Sequence, residues 1–329
     1  MVIPPQTLEA ELTRILRALG FTGERAKDLA KIFTGNTVDG VASHGINRFP
    51  RFVEHIQEGV IQIHASPVKK QAMGAMERWD GCLGPGPLNA RTCTDRAMTL
   101  ARQNGLGLVA LANTNHWMRG GTYAWQAVQS GMAFIGWTNT TANMPAWGAK
   151  DCRLGNNPLV LAVPYETEAI VLDMAMTQFS YGTMESAHLP LPLPGGYDAQ
   201  GQLTCDPKEI LATKRPLPIG YWKGTGLSLL LDLLATLLSG GQSTSQISTK
   251  DREYGVSQVF IALDLSQLGE QSALTQAVHQ IIEDYSQSMP ASETNTIIYP
   301  GQRVVQRRQD HLKNGIPVDR SLWETLQKL

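Results

Sequence analysis

Apolar residues at Leu8, Leu12, Ile15, Leu16 and Leu19 recur at intervals of three and four, which places them on one face of a helix that Gly20 ends. Ala26, Leu29, Ala30 and Phe33 predict a second helix and Phe49, Phe52, Val53 and Ile56 a third, so roughly the first 60 residues are expected to be helical. From about residue 73 to 265 the pattern shifts to short apolar runs bounded by Gly, Pro and Asn, the texture of strands. Residues 106–112, 132–138, 159–164, 169–174 and 256–263 are the candidate strands, interleaved with helices over 88–102, 123–129 and 224–238. Beyond residue 272 helical periodicity returns, broken at 297–301, and 318–329 reads as a closing helix. Prolines and glycines make 190–196 a loop. The pattern predicts a mixed α/β fold: a helical domain over 1–72, an α/β domain over 73–270, and a segment over 271–329 that returns to the helical domain.

With 329 residues, 42% of them hydrophobic, the chain exceeds what one core usually takes, so two domains are expected. The 28 Lys and Arg nearly balance 29 Asp and Glu, which removes a basic face for nucleic acid or anionic membrane and makes a small molecule the default partner. Cys82, Cys93, Cys152 and Cys205 form no CxxC pair and read as reduced thiols of a cytoplasmic protein. The start of the chain lacks a signal-peptide pattern, and the greasy run 227–238 is too short to span a bilayer and carries Asp232.

Four constellations could carry chemistry. Ser43-His44-Gly45-Ile46-Asn47-Arg48 sets an imidazole, which titrates near neutrality, beside a hydroxyl and a guanidinium fork suited to a carboxylate. The competing reading is a helix-capping His44 with Arg48 in a surface ion pair. Residues 113–121, with His116 and two glycines after a candidate strand, suit a ligand loop or a hydrogen-bonded turn. Neither histidine lies in a metal-ligand pattern, so no metal is expected. The dinucleotide fingerprint GxGxxG is absent. Lys223-Gly224-Thr225-Gly226-Leu227 opens a helix and suits either a diphosphate or a tight turn. Finally, Gly155-Asn156-Asn157-Pro158 leads into an apolar strand, and Asp173, in another, is either an orienting partner or a structural acceptor; Asp232 leans structural.

The order of these motifs, from Ser43-His44-Gly45 with Arg48 through Asn115-His116, Trp147-Gly148, Gly155-Asn156-Asn157-Pro158, Asp173-Met174 and Lys223-Gly224-Thr225-Gly226-Leu227 to Pro300-Gly301, resembles the malate/L-lactate dehydrogenase family that lacks a Rossmann fold. Stretches 43–52, 116–121, 147–150, 179–182, 220–223 and 253–258 are most similar to a branch that reduces a 2-oxo sugar acid. The resemblance implies a homodimer, a largely antiparallel cofactor-binding sheet, and hydride transfer from NADH, with NADPH as the alternative. It implies His44 as proton donor, with Ser43, Arg48 and His116 lining the substrate pocket. The implied cofactor contacts are Ile170, Val171, Leu172, Asp173, Met174, Ala175 and Met176, then Trp222 and Lys223, then Gly301, Gln302 and Arg303. Three departures stand out: Asn156 replaces a more usual threonine, Gln302-Arg303 stand where an acidic residue is commoner, and 186–196 is shortened. Arg303 would tolerate a 2′-phosphate where a glutamate would bind a ribose. Rival readings are a dehydrogenase of another 2-oxo acid (malate, lactate or sulfolactate), a cyclic-imine reductase, and, in another class, a metal-dependent lyase or a nucleotide-binding protein without redox activity.

Overall fold

A computed structural model describes residues 1–166, 168–187, 189–292 and 296–329. Its centre is a seven-stranded sheet with the spatial order Val68–Met73, Met76–Asp80, Leu106–Thr114, Val256–Asp264, Met132–Thr138, Leu159–Tyr165 and Glu168–Met174. Neighbours run antiparallel throughout, except that Met76–Asp80 lies parallel to Leu106–Thr114. The expected mixed α/β fold with a largely antiparallel sheet is therefore what forms.

Side chains alternate across the pleat, and each set has its own cover. Val109, Leu111, Phe134 and Phe260 face helices Gly86–Asn104 and Gly121–Val128, meeting Ala90, Ala97 and Tyr123. Ala110, Trp137 and Val259 face the helix Trp222–Ser239, meeting Leu231 and Ala235. A third apolar cluster joins Leu8, Leu12, Phe33, Phe49 and Phe52 to Ile316, Trp323 and Leu326. Helices Pro5–Ala18, Gly23–Val38 and Phe49–Gln57 thus share a core with the last helix, Arg320–Lys328. Each fully buried Leu or Phe there contributes about 1.5–3 kcal/mol by leaving water. Val2–Ile3, inside the region expected to be helical, is instead a short strand paired with Ile316–Pro317.

Two strands of the seven-stranded sheet have no counterpart in the expected set. Val68–Met73 is exposed along its whole length and carries Lys69 and Lys70, and Met76–Asp80 is polar at Glu77, Arg78 and Asp80. An edge hairpin of this kind lacks apolar alternation, and its charges discourage pairing with other chains. In the proline-rich loop Leu191 packs on Met184 and Ile210, while residue 188 lies outside the described residues. Asp232 accepts from Asn139 Nδ2 and from the Thr244 N–H, both at 2.9 Å, which is a structural use. No helix among the described residues is long and apolar enough to cross a membrane.

Candidate active site

Ser43, His44 and Arg48 sit on two consecutive 3-10 turns, Ala42–His44 and Ile46–Arg48, between helices Gly23–Val38 and Phe49–Gln57. The preceding helix fixes both turns. Thr37 Oγ1 accepts the Ile46 N–H at 2.9 Å, and Asn36 Nδ2 donates to the His44 carbonyl at 2.9 Å. Gly45 is required by close approach, since a Cβ there would lie 2.3 Å from Thr37 Oγ1. His44 does not cap the helix: its Nδ1 lies 3.1 Å from Ser43 Oγ.

His116 follows strand Leu106–Thr114, and its ring stacks near that of His44, with centroids 5.9 Å apart and planes 22° from parallel. His116 Nδ1 accepts the Met118 N–H at 2.9 Å, so in the neutral ring the proton resides on Nε2. Met118 reaches this position at φ +67°, in the left-handed region. Both imidazoles have pKa values lowered to about 3. For His44 burial is the largest cause, followed by His116, Arg48 and Arg119; for His116 it is burial, then Arg48 and Arg51. Without ligand, then, His44 is neutral at pH 7, and the proton it is expected to deliver has to arrive with the substrate's charge.

Arg48 and Arg51 share a cleft with His116, Asn115 and Tyr181, and among the described residues neither has a carboxylate within ion-pairing distance. The surface ion pair considered for Arg48 is therefore not formed. Burial, then Arg51, lowers the Arg48 pKa. An adjoining cleft is lined by Ser43, His44, His116, Asn156, Asp173 and Ala175. A third, reached past Val41, Arg119 and Asp173, is lined by Val171, Leu172, Pro300 and Gly301. Here Gly301, at φ +95°, lies so near the strand that a Cβ would come within 3.0 Å of the Val171 nitrogen, and Pro300 accepts the Val171 N–H at 3.0 Å. Residues far apart in the chain thus line three adjoining clefts that share side chains, from Arg48 past His44 to Gly301.

Asp173 accepts the Gly121 N–H through Oδ2 at 2.7 Å and lies 3.9 Å from Arg119. Burial raises its pKa against the opposing pull of Arg119 and that N–H. Arg119, only 5% exposed, donates to Asp39, which also accepts from Arg308 at 2.6 and 2.9 Å. Sequence reasoning missed this ion cluster and also Arg51, His55 and Glu253; the adjacency of Arg119 to His116 was the available signal. Asn157 is fully buried, accepting the Thr140 N–H at 3.0 Å and donating to the Ser228 carbonyl at 2.9 Å, which braces the groove floor.

Other expected residues lie off the groove. Ile170 is half-buried, Met174 packs in the core and Met176 is fully buried within it. Gln302 turns Oε1 towards the Tyr299 N–H at 3.3 Å, and Arg303 is exposed. Trp222 and Lys223 are exposed at the start of their helix, with Ile219 donating to the Met176 carbonyl at 2.9 Å just before it. Gly224 serves the tight turn, because a Cβ would lie 2.2 Å from the Ile219 carbonyl oxygen. Among the described residues no group of three His, Cys, Asp or Glu side chains is placed to hold a metal ion.

The profile of a family described as malate/L-lactate dehydrogenase matches residues 3–327. The chain is 42% identical over 333 residues to a 2,3-diketo-L-gulonate reductase of Citrobacter koseri, covering 100% of both chains. Among solved structures, malate dehydrogenase from Pyrococcus horikoshii OT3 superposes with a TM-score of 0.91 at 27% identity, over 100% of this chain and 94% of that one. Sulfolactate dehydrogenase from Methanocaldococcus jannaschii gives 0.91 at 26% identity, over 100% and 96%. The chain belongs to the malate/L-lactate dehydrogenase family.

Proposed function

We propose that this chain reduces the C2 ketone of 2,3-diketo-L-gulonate to 3-keto-L-gulonate, using NADH, with His44 as the proton donor. The observation that carries this reading is the half-buried Arg48 beside Arg51, without a carboxylate partner among the described residues, in a cleft that meets the His44–His116 pair. Guanidiniums that make no direct ion pair favour an anion, and Arg48 binds a carboxylate in a fork that fixes which ketone faces His44. The full-length relative of the same named activity supports the choice of sugar acid.

The groove lined by strand Glu168–Met174 and the Pro300-Gly301 turn fits a dinucleotide: Gly301 lets the turn dock against the strand as one wall, and Asp173 offers an acceptor for a ribose hydroxyl. Val171, Leu172, Asp173, Ala175 and Gly301 would hold the cofactor along the groove, Ile170, Met174 and Met176 would support that strand from outside it, and Trp222, Lys223, Gln302 and Arg303, which lie off the groove, would be met only by a cofactor that extends beyond it. When bound, the reduced nicotinamide supplies a hydride to the ketone carbon. His44 gives its proton to the oxygen, and His116 donates from Nε2 to a substrate oxygen without changing its own charge. Burial is what chiefly keeps His44 neutral and the positive neighbours add to it, so an anion on Arg48 offsets that second part and raises the proton affinity of His44.

Arg303 is exposed and without an ion pair among the described residues, which favours a second reading with NADPH through its 2′-phosphate. The rest of the reading is a homodimer in the cytoplasm. Steady-state assays of 2,3-diketo-L-gulonate with NADH and NADPH test it. A kcat/KM well above those for oxaloacetate and pyruvate is expected, comparable values would reassign the substrate, and no oxidation of either cofactor would overturn the reaction.

A further inference from the structure

The cleft that holds Arg48 continues along helix Phe49–Gln57 to Arg51 and His55. From Arg48 to His55 the chain climbs about 10 Å at 1.5 Å per residue, a longer path than the carboxylate and ketone of a three-carbon acid need. One wall is apolar, with Phe52, Ile61 and Met118. A second group of lining residues is polar, with Thr141, Asn143, Tyr181, Glu185 and Glu253.

That polar group is held rigidly. Glu253 Oε2 accepts both the N–H and the hydroxyl of Thr141 at 3.0 Å, and Tyr181 donates to the Asn143 carbonyl at 2.7 Å. Asn143 Nδ2 reaches Asn156 Oδ1 at 3.4 Å, while the buried Asn143 Oδ1 finds no partner in the chain. The buried His55 Nε2 is likewise unpartnered. The buried Asn115 Oδ1 is a third such atom, and because buried polar atoms are nearly always satisfied in a folded protein, three residues of one cleft that each carry one mark a place built for a polar ligand. An alkyl tail would leave them unsatisfied, whereas hydroxyl groups both donate and accept and match carboxylate, amide and imidazole together.

We infer that this cleft, beyond the place of the carboxylate on Arg48, is a subsite for a polyhydroxylated carbon chain, with Asn143 and Glu185 as acceptors and Arg51 and His55 lining the same cleft. The inference rests on the proposed reductase reading for the position of the acid group, and it names the residues that separate sugar acids from short 2-oxo acids.

Calorimetric titration of the full chain with L-gulonate and with L-lactate, in the presence of NADH, tests it without turnover. L-gulonate is expected to bind roughly tenfold more tightly or better, and Asn143→Leu and, separately, the exposed Glu185→Ala are each expected to shrink that gap by about threefold or more. Equal affinities in the parent, or a gap unchanged in both folded variants, would overturn the subsite. If the gap is present but no 2-oxo acid is reduced, the subsite stands and the reductase reading falls. If three-carbon and six-carbon 2-oxo acids are reduced with equal kcat/KM and the two probes bind alike, the subsite falls and the reductase reading stands.

Discussion

Met118 holds a conformation that side-chain-bearing residues avoid, at a cost of order 1 kcal/mol, and its N–H is thereby turned onto His116. One imidazole is thus fixed as a donor, while His44, beside Ser43, remains free to change charge. Replacing His44 with Asn is expected to lower kcat by roughly two to four orders of magnitude with NADH affinity retained, as read by stopped-flow turnover and fluorescence titration. Because the free imidazole protonates only near pH 3, kcat/KM for reduction should fall about tenfold per pH unit from pH 6 to 8, whereas kcat should bend at a higher pH. A flat kcat/KM profile across that range would remove His44 from proton delivery. Arg48→Ala is expected chiefly to raise KM for carboxylate-bearing substrates; an unchanged KM would place the carboxylate elsewhere. At this scale the histidines and Arg48 were legible because their residue types already imply chemistry. The roles of Met118 and Asn143 were not, since backbone strain and an unpartnered amide arise only from the fold.

Elements were legible where burial imposes a period. Strand Met132–Thr138 matches its expected span, and Gly86–Asn104 extends the expected helix by two residues at each end. The hairpin Val68–Met73 and Met76–Asp80 escaped because neither strand alternates apolar and polar residues. The Asp39–Arg119–Arg308 cluster escaped for another reason: it ties the end of helix Gly23–Val38 to the loop after Leu106–Thr114 and to helix Gln302–Asn314, and no local pattern announces a meeting of three distant segments. Asp39 is 9% exposed at its side chain, and Asp39→Ala would leave Arg119 buried with only the 3.9 Å approach to Asp173. A loss of about 3 kcal/mol in urea unfolding is expected, with weaker cofactor binding because Arg119 lines the groove. A loss below about 1 kcal/mol would show that the cluster is not a structural tie.

For the molecule as a whole, the two histidines make stability sensitive to acid. In the unfolded chain they take up protons near pH 6.5, but in the folded one not until about pH 3, so stability should decline as the pH drops between those values. Glu77, hydrogen-bonded to Arg96 and held down to about 2, adds a loss that begins near pH 4.5. Thermal melts from pH 7 to 4 should show the decline, and His116→Gln should flatten it. Helix Trp222–Ser239 turns Leu229, Leu230, Leu233, Leu234 and Leu237 to solvent, each 44–67% exposed, a face expected to be covered by a second copy in the proposed homodimer. Light scattering of Leu230→Glu/Leu234→Glu should report a monomer, and an unchanged mass would move the interface elsewhere. The central position of Val256–Asp264, between Leu106–Thr114 and Met132–Thr138, has its own outcome during synthesis. Until the ribosome has released that late segment, the two halves of the sheet each present an open, hydrogen-bond-hungry border, and the growing polypeptide must be shielded from its neighbours while it waits for the piece that joins them.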